Sequence, residues 1–236
     1  MPKLNRQTQA AATAAELLNR LRALRNPANL DGMARYGINV SNSFGVPMPP
    51  LRGMAREFRR DHALAGELWK SGVREARILA TLVEDPARVT PAQMDRWARQ
   101  FDSWDVCDQT CQNLFRYSPF AFDKAAEWAR AEGEFVRRAG FALMAGLTVK
   151  SKTAPDARFE AFLPLIAEMA CDDRNFVRKA VNWALRQIGK RTHFLHDEAL
   201  ETTYRIKEQS SRSARWIAAD AIRELENPLI IGKIRR

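Results

Sequence analysis

Apolar positions follow a helical period along nearly the whole chain, from the stripe Leu17, Leu18, Leu21 and Leu24 to SARWIAADAIREL near the end. No stretch alternates with period two for long enough to make a strand, so the pattern predicts an all-α fold. Capping signals punctuate it. Thr90 before Pro91 predicts the start of a helix carrying MDRWARQF, Ser118 before Pro119 that of the helix carrying Trp128, and Pro155 with Asp156 that of RFEAFLPLIAEMA. Helices of about ten to eighteen residues are expected. One irregular stretch interrupts them, INVSNSFGVPMPP from Ile38 to Pro50, and loops of such length in compact proteins are functional or mobile.

Two segments resemble each other. FVRRAGFALMAGL from Phe135 and FVRKAVNWALRQI from Phe176 share F-V-R-[RK]-A, SARWIAADAIREL from Ser213 is a fainter copy, and GVREARILATLVE from Gly72 carries the same V-R-x-A core. A period of about 40 residues is the mark of paired-helix solenoid repeats of the HEAT type, in which each repeat buries its apolar face against its neighbours. The reading is one HEAT-like α-solenoid over residues 1–236, with an N-terminal helix within 1–30 packing on the first repeat. Its inner helices are expected to line a concave, basic groove.

Charge narrows the partner. The 236 residues are 46% hydrophobic, enough for a sizeable core, yet the formal net charge is +10 and the pI near 10.0. Such a surface attracts phosphates, with nucleic acid first, unless its arginines simply decorate solvated faces. Cys107, Cys111 and Cys171 make no disulfide framework, which fits a reducing cytosol. No apolar run approaches the ~18 residues of a membrane span, and the start lacks the apolar core of a secretory signal. A soluble, cytoplasmic, monomeric protein without membrane contact is expected. His62, His193 and His196 do not pair with Cys or acids at ligand spacing, and no dinucleotide, P-loop or hydrolase motif occurs, so no metal and no cofactor are expected.

SWDVCDQ, from Ser103 to Gln109, concentrates two carboxylates beside an indole in this basic chain. Ser103 as N-cap and Asp105 as first-turn acid are accounted for by the exposed amides and dipole of a helix start. Asp108 is accounted for less well, because at i+4 it shares a face with Trp104. Trp183 and Arg138 lie in the two strong repeats, and Tyr36 ends the segment GMARYG. Singly, each Trp is more often core and each Arg more often solvated. Together they describe a cleft that holds a cation between indoles and a carboxylate while an Arg grips phosphate.

GMARYG, SWDVCD, FVRRA and FVRKAVNWALR, in this order and at these separations, resemble the bacterial DNA alkylation repair glycosylases of the AlkD type. The resemblance runs from about Met33 to the last repeat. It implies hydrolysis of the N-glycosidic bond of cationic alkylated purines, such as 3-methyladenine and 7-methylguanine, in double-stranded DNA, by a protein that joins the nucleoid when bound. Position by position, it implies Asp108 as the catalytic carboxylate, Trp104, Trp183 and Tyr36 as cleft aromatics, and Arg138 as a DNA-contacting arginine. Two departures stand: a single Trp precedes Asp105, and INVSNSFGV has no match in the family pattern. A non-catalytic DNA-binding scaffold and a protein-interaction solenoid are the rival readings.

Overall fold

The computed structural model describes residues 6–234, so the first five residues of the expected N-terminal segment and the last two of the array lie outside the described residues. The chain divides into two compact units. One comprises the residues up to Met94 together with Phe101–Ser118, the other Asp95–Gln100 together with everything from Pro119. Along the first run α1 (Arg6–Ala23), α2 (Pro27–Arg35), α3 (Met48–Ala55), α4 (His62–Lys70), α5 (Arg74–Val83), α6 (Pro91–Ala98) and α7 (Trp104–Asn113), with α6 straddling the division. The second unit continues with α8 (Ala121–Ala129), α9 (Glu134–Lys150), α10 (Ala157–Glu160), α11 (Leu163–Met169), α12 (Asn175–Ile188), α13 (His193–Lys207), α14 (Arg212–Leu225) and α15 (Pro228–Ile231). Among the described residues there is no β-strand, and the architecture is the helical repeat that the period of the sequence predicts.

In the first unit α1 lies on α4 and α5, and α5 packs in turn on α4, α3 and α7. Leu17 and Leu21 of α1 are fully buried, but Leu24 is exposed because α1 ends at Ala23 and the stripe runs out with it. In the second unit α9, α12 and α14 pack in series, backed by α8, α11 and α13. These three are the segments that the repeat alignment picked out. Gly140 sets the approach of α8 to α9, since a Cβ built there would sit 2.5 Å from the Ala129 backbone nitrogen.

The arginine of V-R-x-A is the clamp of the repeat. Arg74 Nε donates to Asp105 at 2.5 Å, and Arg137 Nη1 donates to Asp172 at 2.6 Å, each reaching a carboxylate of the following helix pair in its own unit. Arg178 instead lies over the Trp216 ring, 5.0 Å from its centre. Val73 and Val177 are buried beside their arginines, and in each copy the Arg reaches forward to the next repeat, so the motif serves packing.

Several helix boundaries differ from those the capping signals predict. Thr90 does cap α6, its hydroxyl accepting from the Gln93 amide at 3.2 Å. The helix carrying Trp128 begins only at Ala121, without a side-chain cap, rather than at Pro119. RFEAFLPLIAEMA is broken into α10 and α11, because Pro164 in its middle lacks an amide hydrogen and fits only a first turn. Met48, Pro49 and Pro50 likewise belong to the first turn of α3 rather than to the loop before it.

Candidate functional site

The loop from Ile38 to Val46 is fastened to the first unit by one buried carboxylate. Glu75 of α5 has no exposed surface, and it accepts from Ser43 Oγ at 2.7 Å and from the amides of Phe44, Gly45 and Val46 at 3.0, 3.0 and 3.2 Å. Gly45 adopts φ +72°, a conformation that a Cβ would strain, and it lies against the Asn26 carbonyl. Asn42 O and Phe44 O accept from the amides of Arg74 and Asn26. The stretch that the sequence pattern leaves open between functional and mobile is therefore a built lip, tied to α5 and to the start of α2.

Asn39 carries the lip to the head of α7. Its amide donates to Ser103 Oγ at 3.2 Å, and that hydroxyl donates to Asp105 Oδ1 at 2.7 Å. Ser103 occupies the N-cap position, but its hydroxyl caps no helix amide, because it is spent between Asn39 and Asp105. Asp105 is buried and holds Arg74 and Ser103 together. Its role is thus a tertiary clamp, beyond the first-turn acid that the sequence alone accounts for. Arg74, Glu75, Ser103 and Asn39 were missed in the sequence as parts of this site, although V-R-x-A placed Arg74 in a recurring context.

Trp104 and Asp108 follow on the same helix, both half-buried. The indole is pinned by its edge, Nε1 donating to the Tyr36 carbonyl at 3.0 Å. Tyr36 caps α2 and is 77% exposed as a residue, while its backbone carbonyl steadies Trp104. Asp108 lies one turn beyond Trp104 on the same face. Cys107 and Cys111, fully buried, are core of α7. The structure thus brings Tyr36, Trp104 and Asp108 together in the first unit.

Arg138 and Trp183 belong to the second. Arg138 of α9 is 6% exposed, and its Nη1 donates to the Phe176 carbonyl at 2.6 Å, which makes it a strut between α9 and α12. Trp183 is half-buried on α12. Among the described residues no three His, Cys, Asp or Glu side chains converge as metal ligands, and no helix is long and apolar enough to cross a membrane.

Relatives bear on this arrangement. The uncharacterized protein Lin0241 of Listeria innocua is 24% identical over 190 residues, which span 79% of this chain and 83% of that protein. A solved structure, reported as a new family of proteins related to the HEAT-like repeat DNA glycosylases with affinity for branched DNA structures, is similar over 93% of this chain and 95% of its own. Its TM-score is 0.74 at 19% identity, a likeness of fold. The family model of the DNA alkylation repair enzyme matches residues 17–225, from the first fully buried leucine of α1 to the end of α14, and this chain belongs to that family.

Proposed function

We propose that the protein is a DNA N-glycosylase that releases cationic alkylated purines from duplex DNA. The observation that carries the reading is the face of α7 on which Asp108 stands one turn beyond Trp104, whose indole is held by the Tyr36 carbonyl. An alkylated purine with a positive ring is already a good leaving group. The C1′–N bond breaks with its electron pair going to the base, water adds to C1′, and the water's proton is released to solvent. The demand on the protein is to stabilise the oxocarbenium-like sugar between these events. A carboxylate about 4 Å from that cation contributes on the order of 4 kcal/mol at an effective dielectric near 20. Asp108 supplies it, and the Trp104 face favours the cationic base through its quadrupole. Trp183 is assigned a nucleic-acid stacking surface in the second unit, and the basic surface the electrostatic attraction to duplex DNA.

The test is incubation of the protein with methylated duplex DNA, without added metal, followed by chromatography of the released bases. Released 3-methyladenine or 7-methylguanine, insensitive to chelator, is expected. Activity that vanishes with chelator and returns with zinc overturns the mechanism. The affinity for branched DNA reported for the structurally similar protein favours a second reading, a DNA-binding scaffold without catalysis. Binding without base release in the same assay decides for it.

A further inference from the structure

Arginine is abundant in this chain, and many of its arginines have carboxylate partners. Arg20 pairs with Glu57, Arg130 with Glu168, Arg186 with Glu224 and Arg223 with Asp220. One group does not follow that rule. Arg52, Arg56, Arg59 and Arg60 are all exposed, and none makes a side-chain hydrogen bond or ion pair with any described residue. They line one open cavity of about 540 Å³ in the first unit, together with Asn113, at the end of α7, and Tyr117.

The cavity is built by fixed backbone. Arg60 is the one non-glycine residue at positive φ among the described residues, at 60°, a conformation that costs an L-residue on the order of 1 kcal/mol and persists only when its surroundings impose it. They do: the next residue, Asp61, donates its amide to the Val83 carbonyl at 2.9 Å and caps α4 by accepting from the Leu64 amide at 3.0 Å. Arg59 and Arg60 are thereby held against the end of α5. The lone carboxylate in the lining, Glu84, is buried and engaged by His62 Nδ1 and Gln93 Nε2, so it does not answer the four guanidiniums. Tyr117 is 42% exposed, with the Arg116 guanidinium 5.1 Å from its ring centre.

Four uncompensated planar cations around an open cavity, beside a neutral amide and an aromatic ring, match several phosphates of one nucleic-acid strand better than a single small anion. The separation from the first site is legible on α7. Asn113 lies nine residue steps beyond Trp104, roughly 13.5 Å at 1.5 Å per residue. We infer that this arginine cavity is a second DNA contact, a grip on backbone phosphates, lying at the far end of α7 from Trp104. It rests on the DNA-binding half of the proposed function and not on base excision.

The experiment measures binding of a short undamaged linear duplex as a function of salt. For Arg56→Gln/Arg59→Gln the slope of log K against log salt should flatten by about 1.8, at about 0.9 for each phosphate no longer neutralised. Arg130→Gln/Arg205→Gln removes the same formal charge elsewhere and should leave the slope unchanged. Equal changes in both pairs, or an unchanged slope in the cavity pair with its melting temperature intact, overturns the inference. Arg52→Gln, read in the same way, carries the test if the double variant does not fold, with a flattening of about 0.9 expected for one phosphate. Asp108→Asn in the parallel base-release assay keeps the two questions apart, since it should lose excision and keep the wild-type salt slope.

Discussion

At the scale of residues, the two carboxylates of SWDVCD differ by what holds them. Asp108→Asn keeps the shape but removes the charge that the proposed mechanism sets against the sugar cation, so base release should slow by roughly 10²-fold or more, while DNA binding persists or tightens. Single-turnover kinetics beside a binding titration reads both. Asp105→Ala should instead take the partner from Arg74 Nε and from Ser103, leaving Arg74 on Glu75, and cost about 1–3 kcal/mol of stability, visible in denaturant unfolding. If Asp105→Asn abolishes release in a folded protein while Asp108→Asn spares it, the assignment is reversed. Arg138→Ala removes a nearly buried donor from the Phe176 carbonyl and should lower stability by about 1–3 kcal/mol, with the salt slope of DNA binding unchanged. A flattening by about 0.9 in the folded variant would instead support the DNA-contacting role that the family resemblance implies for Arg138.

At the scale of elements, close approach and open space separate two glycines that look alike in the sequence. Both lie inside helices, Gly140 in α9 and Gly66 in α4. A Cβ at Gly140 would meet the Ala129 nitrogen at 2.5 Å and the Ala125 carbonyl at 2.9 Å, so Gly140→Ala must push α8 away from α9 and should cost about 1–3 kcal/mol or more. At Gly66 nothing lies within 4 Å, and Gly66→Ala should stabilise by roughly 0.5–1 kcal/mol through helix propensity. Melting curves of the two variants should move in opposite directions. The lip from Ile38 to Val46 has a comparable single point of failure. Without the Glu75 carboxylate, three backbone amides and Ser43 lose their acceptor at once.

At the scale of the whole molecule, a formal net charge of +10 coexists with acids kept ionised by their neighbours. Burial alone would raise the carboxyls of Asp95, Asp172 and Glu224, but hydrogen bonds and charge from Lys124 and Trp128, from Arg174 and Arg137, and from Lys190 and Arg186 outweigh it and hold each below its ordinary value. Because the folded values lie below the unfolded ones, the unfolded chain binds more protons as the solution becomes acid. The stabilisation is complete above the ordinary carboxylate range and is lost as pH falls from about 4 through the folded values. The melting temperature should decline along that limb. Asp172→Asn should be less stable than the parent at neutral pH and show a shallower acid decline, and an identical decline in both would remove Asp172 from the account.

The sequence by itself determined the helical class, the repeat and the basic charge, because period and side-chain charge are one-dimensional properties that need no knowledge of neighbours. It also pointed to α7, since Trp104 and Asp108 are joined by the geometry of one helix turn. Tertiary structure decided the rest. Asp105 meets Arg74 across 31 positions of chain, Asn39 meets Ser103 across 64, and Trp104 meets Tyr36 across 68. Burial of Arg138 and the solvent-facing arginines around Asn113 are likewise set by what packs beside them, not by their own sequence context. A guanidinium has the same chemistry in every repeat. Whether it becomes a clamp, a strut or an open cation depends on whether the fold delivers a carboxylate, a carbonyl or solvent to its donors.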